Sequence, residues 1–195
     1  MDDVNLPSAR PLSDRRLRGL AAEVGALLRS RGLTLALAES CTGGLVSSLI
    51  TDVAGSSDYF LGCVVSYANS AKEGILGVSP QTLLAHGAVS AEAAAEMAQG
   101  ARRVFGADVA LSVTGIAGPG GGSPDKPVGL VYIHLSAAEA EIGGRFVWNS
   151  DRVGNKRLSA ETALRLLIRY LARPGRPRDL RLRVRTETGG SYVAA

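Results

Sequence analysis

Cysteine and histidine are scarce in this 195-residue chain: Cys41 and Cys63, His86 and His134. Two thiols exclude a disulfide scaffold and a four-cysteine zinc site. Two histidines far apart leave little for a histidine-rich metal centre, so no metal is expected. Aromatic residues make up 5%. Met97, Trp148 and the few aromatics read as core or rim, with no platform on which bases would stack. No apolar run approaches the ~18 residues of a membrane span. Residues 1–18 are charged and lack an apolar segment with a cleavage site, so no secretory signal is expected and a cytoplasmic location is. What the chain does have is 46% apolar and 21% charged residues, the balance of an ordinary globular domain. Its 24 glycines are about 12% of the chain against a usual ~7%. In a folded enzyme such an excess accompanies tight turns and backbone contact with a ligand.

Charge is unevenly placed. From Arg173 to Ala195 there are six arginines and two acids, which account for the whole net charge of +4. Residues 1–172 are neutral overall, unlike a nucleic-acid-binding domain with a basic stripe on its fold. The chain therefore divides into a domain over 1–172 and an Arg/Pro-rich basic tail over 173–195. No membrane partner is expected, and nucleic acid only through the tail. Arg181 to Arg185 alternates charged and apolar residues, as a short extra strand would.

Hydrophobic periodicity orders the rest. Ser13 is placed to cap a helix carrying Leu17, Leu20, Ala21, Val24, Leu27 and Leu28, and Gly32 ends it. Leu33 to Ala38 reads as a buried strand, followed by a helix with Leu45, Val46, Leu49, Ile50 and Val53 on one face. Tyr59 to Tyr67 reads as a second strand, and Asn69 to Leu76 as a short helix. Ser79-Pro80 opens another helix. Ser90 caps an alanine-rich helix that Gly106 stops. Strands are expected over Asp108 to Thr114, Val128 to Ser136 and Arg145 to Asn149, and a last helix over residues 156–171. Alternating helices and strands that end in two adjacent strands predict a single-domain, three-layer α/β/α sandwich. Its sheet is mixed, mainly parallel, with about five strands.

In such sheets ligands bind beyond the carboxyl ends of the strands, and three strands run into unusual loops there. The first is Glu39-Ser40-Cys41-Thr42-Gly43-Gly44. A serine between strand and helix lies near outward-pointing amides and the positive helix end. Ser40 is thus a candidate nucleophile, with Thr42, Gly43 and Gly44 beside the ligand. Alternatively Ser40 or Thr42 merely caps the helix, or Cys41 is the nucleophile, since helix N-termini lower thiol pKa values. The second loop holds Tyr67, Asn69 and Lys72. A lysine desolvated in a cleft can take a serine's proton where no histidine is available. Tyr67 would relay or donate a proton, and Asn69 would bond a substrate amide. Lys72 read alone is equally a solvated helix residue. The third loop runs from Thr114-Gly115 through Gly118 and Gly120 to Lys126-Pro127. It can cradle phosphate with its amides or be a plain connector. It is neither a P-loop nor a dinucleotide fingerprint, since no helix follows it.

Together the stretches Ala38 to Gly44, Val65 to Asn69 with Lys72, Gly87 to Ser90, Val113 to Gly121 and Lys126 to Gly129 resemble the CinA C-terminal domain family, the stand-alone nicotinamide-nucleotide amidases. The resemblance covers roughly residues 13–171. It implies hydrolysis of nicotinamide mononucleotide to nicotinate mononucleotide and ammonia, in pyridine-nucleotide salvage, with no cofactor. It places the nucleophile on Ser40, its partners on Tyr67 and Lys72, and a substrate contact on Thr114. The family's arginine falls on Arg152. Its second arginine falls on Lys156 or, displaced by one, on Arg157. A homodimer is compatible with the family. The rival reading is a non-catalytic nucleotide-binding or competence-related interaction protein.

Overall fold

The computed structural model describes residues 11–173, so the alternating stretch 181–185 lies outside the described residues. In chain order the elements are α1 (Asp14–Arg31), β1 (Leu35–Glu39), α2 (Leu45–Thr51), a 3-10 turn (Ser56–Asp58), β2 (Phe60–Val65) and α3 (Asn69–Leu76). They continue with α4 (Pro80–His86), α5 (Ala91–Phe105), β3 (Val109–Gly115), β4 (Leu130–Ala137), β5 (Ala140–Val147) and α6 (Arg152–Leu171). Gly32 takes a left-handed φ of +60° and closes α1, a backbone region that glycine enters without penalty. The Ser79 hydroxyl accepts the amides of Gln81 and Thr82, and that of Ser90 accepts Ala93, so two of the three predicted serine caps form; Ser13 stands at the N-cap of α1, but its side chain makes no cap bond. No helix among the described residues is long and apolar enough to cross a membrane.

The strands form one sheet in the order β2-β1-β3-β4-β5. β1 pairs in parallel with β2 and β3, whereas β3–β4 and β4–β5 are antiparallel. The sheet is mixed as expected, though evenly so rather than mainly parallel. One face buries Leu35, Leu37, Val109, Leu111 and Val113 against α1, α2 and α6. The other buries Ala36, Ala38 and Ala110 against α3 and α5. Small residues on this second face let α5 approach closely. At Gly100 a Cβ would sit 2.1 Å from the Leu76 carbonyl oxygen, so the crossing of α3 and α5 requires glycine.

Two expected boundaries move by more than two residues. The fifth strand spans Ala140–Val147, not Arg145–Asn149, and a two-residue turn joins it to β4. Its Ala-Glu-Ile-Gly-Gly start has weak strand propensity, and pairing with β4 overrides it. Gly143 is needed there, because a Cβ would lie 2.8 Å from His134 Nδ1. α6 begins at Arg152, four residues before the expected start. Asp151 caps it by accepting the Gly154 amide at 2.7 Å, and Gly154, a poor helix former, hid that first turn.

Candidate active site

β1 lies between β2 and β3. The β1-to-β2 crossover runs over one face of the sheet through α2, and the β2-to-β3 crossover runs over the other through α3, α4 and α5. This is a topological switch point, where a crevice opens beyond the strand ends. Strand alternation decides what each side chain meets. Leu35, Leu37 and then Glu39 face α2, whereas Ala36, Ala38 and then Ser40 face α3 and α5.

On the α3 side, Lys72 Nζ lies 3.1 Å from Ser40 Oγ and donates to the Ser66 carbonyl oxygen at 2.6 Å. Lys72 is 1% exposed, and burial lowers its pKa below the usual 10.5. A buried amine held against a hydroxyl can accept that hydroxyl's proton through its lone pair once neutral. Of the two readings of Lys72, the solvated helix residue is excluded.

On the α2 side, the Glu39 carboxylate accepts the amides of Gly44 (2.9 Å), Val46 (3.2 Å) and Ser47 (2.8 Å). Glu39, rather than Ser40 or Thr42, caps this helix. Gly43 and Gly44 adopt left-handed φ values of +64° and +92°, which turns the chain back so that these amides reach the carboxylate. The Gly43 amide donates to the Ser40 carbonyl at 3.0 Å and the Ser40 amide to that of Val113 at 2.9 Å. The expected ligand contacts of Gly43 and Gly44 are therefore corrected: both amides are spent inside the turn, and neither residue lines the cleft. Thr42 is fully buried away from it. Burial, reinforced by the charge of Glu39, pushes the Cys41 thiol up to about 12. The expected helix-end activation of Cys41 fails because the thiol is buried and Glu39 occupies that helix end.

A cleft of about 270 Å³ opens over the pair, lined by Ser40, Tyr67, Asn69, Lys72, Thr114, Gly115, Gly118, Gly120 and Arg152 among others. Nine of the predicted residues thus meet in one place. Tyr67 is 63% exposed, and its hydroxyl accepts from Arg152 Nη2 at 3.0 Å. Its bonded partner is Arg152 rather than Ser40 or Lys72, so a direct relay through Tyr67 is not formed in this structure. Arg152 Nη1 donates to Gly118 O at 2.7 Å, so one guanidinium ties two rims of the cleft together. The Thr114 hydroxyl donates to Ala88 O at 2.7 Å, anchoring the segment before α5.

Lys126 stands outside the lining. Its ammonium donates to the His86 carbonyl, tying the far limb of the glycine loop to the end of α4. Lys156 is also outside the lining, with Nζ beside Gly43. Arg157 pairs with Asp14 at 2.6 Å and with Leu12 O at 2.8 Å. It braces α1, which removes it as the displaced second arginine.

Sequence reasoning missed Glu39 as a cap and missed Asn155. Asn155 is buried in α6, donates to Ala117 O at 3.0 Å and accepts the Ser150 amide at 3.1 Å. With Arg152 it holds consecutive carbonyls of the glycine loop. A second, more open hollow of about 460 Å³ lies beside Gln99, Arg102, Arg103, Gly106 and Ala107, at the far end of α5, with no nucleophile in its lining.

Fold and site together define an α/β protein with a buried serine–lysine pair at the switch point of a mixed sheet. The chain belongs to the CinA C-terminal domain family, whose model matches residues 17–171. It is 54% identical over 153 residues to a CinA-like protein of Desulfosudis oleivorans, covering 78% of this chain and 37% of that protein. A CinA-like protein of Geobacter sulfurreducens is 54% identical over 148 residues, covering 76% and 36%. The chain thus spans about a third of the length of these curated relatives. Among solved structures, the competence/damage inducible protein CihA from Agrobacterium tumefaciens superposes with a TM-score of 0.78 at 38% identity, over 86% of this chain and 98% of that one. A CinA superfamily protein from Klebsiella pneumoniae gives 0.78 at 31% identity, over 80% and 98%.

Proposed function

We propose that this chain is an amidohydrolase that converts nicotinamide mononucleotide to nicotinate mononucleotide and ammonia, in pyridine-nucleotide salvage. The observation that carries the reading is the approach of Lys72 Nζ to Ser40 Oγ at 3.1 Å, with the amine buried and its pKa lowered. A binding module needs no such pair. Neutral Lys72 takes the Ser40 proton as Oγ attacks the carboxamide carbon and passes it to the amide nitrogen, which leaves as ammonia when the C–N bond breaks; the amine then takes a proton from the water that hydrolyses the acyl-enzyme and returns it to Ser40. The amide of Cys41, which lines the cleft beside Ser40, is the donor we assign to the oxyanion. The pyridinium ring draws electrons from the amide and eases attack. Arg152 keeps N–H groups beyond the two already bonded, and with the amides of Gly120 and Gly121 it supplies the anion contacts for the phosphate. No cofactor takes part in these steps.

The test is ammonia release from nicotinamide mononucleotide, against a panel of other amides, by the wild-type chain and by Ser40→Ala. The expected result is turnover that falls by about 10³-fold or more in the variant while its circular dichroism stays unchanged. Release from other amides but not from the nucleotide would overturn the substrate. Full activity in Ser40→Ala would overturn the nucleophile.

A further inference from the structure

Glu39 stands next to the nucleophile in the chain and takes no part in the steps above. It is nonetheless fully buried, at 0% exposure. Oε2 accepts the amides of Gly44 and Val46, and Oε1 accepts that of Ser47. Oε1 also lies 3.7 Å from the Cys63 thiol. Both oxygens thus serve only as acceptors. A buried carboxylate is tolerated where several N–H groups and a helix N-terminus surround it.

The arrangement has two effects on the cleft. First, the positive end of α2 is filled from within the protein, so it offers no anion site to a ligand. Second, the turn between Ser40 and Gly44 is pinned at both ends. The Ser40 amide is held by Val113 O, and the Gly44 amide by the side chain of the residue just before the turn. Between these anchors the orientation of Ser40 Oγ is set, and with it the place of the Cys41 amide at the cleft. Glu39 points to the α2 face and Ser40 to the α3 face, so the sheet itself separates the carboxylate from the Lys72 amine. Direct contact would make an ion pair of the two and hold the lysine protonated.

We infer that Glu39 is the positioning residue of the Ser40 turn: its carboxylate gathers the amides at the start of α2 on one face of the sheet and thereby fixes the nucleophile, and the Cys41 amide beside it, on the other. This rests on Ser40 being the nucleophile, though not on which amide it attacks.

The experiment measures Ser40 directly. The wild-type chain, Glu39→Gln and Glu39→Asp are treated with a fluorophosphonate, and the second-order labelling rate at Ser40 is scored on the folded fraction. Leu28→Ala, a core change on α1, serves as the control for lost stability alone. Gln presents one oxygen and an NH₂ group that cannot accept, so at least one α2 amide loses its partner. Labelling of Glu39→Gln is expected to fall by about 10- to 100-fold. Glu39→Asp, which keeps both oxygens one methylene short, should fall between wild type and Gln. Leu28→Ala should label at the wild-type rate. The alkaline midpoint of the labelling rate, which reports Lys72, should be the same in wild type and Glu39→Gln. Labelling of Glu39→Gln at the wild-type rate overturns the proposal, whatever the chain does with nicotinamide mononucleotide. A shifted midpoint also overturns it, because Glu39 would then act on the lysine rather than on the turn. Failure of the substrate reading is seen separately, as a wild-type chain that labels normally and releases no ammonia from the nucleotide.

Discussion

Replacing Lys72 with methionine separates the chemistry of the amine from its structural cost. Methionine keeps the length of the side chain and its apolar stem, and removes the nitrogen 3.1 Å from Ser40 Oγ. A positioned general base contributes about 10²–10⁴ in rate. At about 1.4 kcal/mol per decade, turnover should drop as though the barrier rose by ~3–5 kcal/mol. Stability should change far less. The Ser66 carbonyl loses its 2.6 Å donor, which costs about 1–3 kcal/mol. Relief from burying an amine that is 1% exposed offsets this by a similar amount. That relief depends on pH. The folded-state pKa of Lys72 lies below its unfolded 10.5. Below the folded pKa both states hold the proton, and the native state bears the full penalty of a buried charge. Between the folded pKa and 10.5 only the unfolded state stays protonated, so wild-type stability rises with pH across that window. The methionine variant lacks this rise. Its stability relative to wild type should be greatest in acid and decline as pH climbs through the folded pKa of Lys72. Urea melts from about pH 6 to about pH 10, run beside ammonia release, test both halves. Activity within about tenfold of wild type would refute the lysine as base. A stability difference that does not vary with pH would refute the buried amine.

Two further outcomes follow from the same geometry. Asn155→Ala strips the donor from Ala117 O and the acceptor from the Ser150 amide. It should cost about 1–3 kcal/mol in a urea melt and raise KM more than it lowers kcat, since it loosens the glycine loop and leaves the Ser40–Lys72 pair intact; an unchanged KM would count against that role. Burial pushes both Cys41 and Cys63 up to about 12. Neither thiol should therefore react with iodoacetamide in the native state near pH 8, and both should react once unfolded in urea; rapid native alkylation of Cys41 would contradict the environment described for it.

The loops that build the cleft were legible because each sits where an apolar strand stops, two of them at a glycine-bearing turn. The positions of Ser40 and Thr114 at those stops, and of Lys72 in the short helix after the second, followed from periodicity and punctuation. What was not legible depends on partners distant in the chain or on which way a helix faces. The role of Glu39 is defined by amides five to eight residues onward, which close on it only after two successive left-handed glycines. Lys156 and Arg157 are adjacent in sequence but about 100° apart around a helix. That rotation sends Arg157 to Asp14 on α1 and leaves Lys156 beside Gly43. The early start of α6 was masked by Gly154, a residue the turn requires because a Cβ there would lie 2.0 Å from Ser150 Oγ. The strand over Ala140–Val147 was masked by residues that pair only because β4 is already beside them.

The enclosure of Lys72 has a consequence for where a proton can travel. The amine touches a serine oxygen on one side and a main-chain carbonyl on the other, and among the described residues the cleft it lines is its route to solvent. A seated substrate would cover that route. In the proposed reaction the hydrogen lifted from the hydroxyl then cannot be traded with bulk water. It stays a few ångströms from the nitrogen about to depart, so the group that opens the first half of the cycle is also the one placed to release the amine as ammonia.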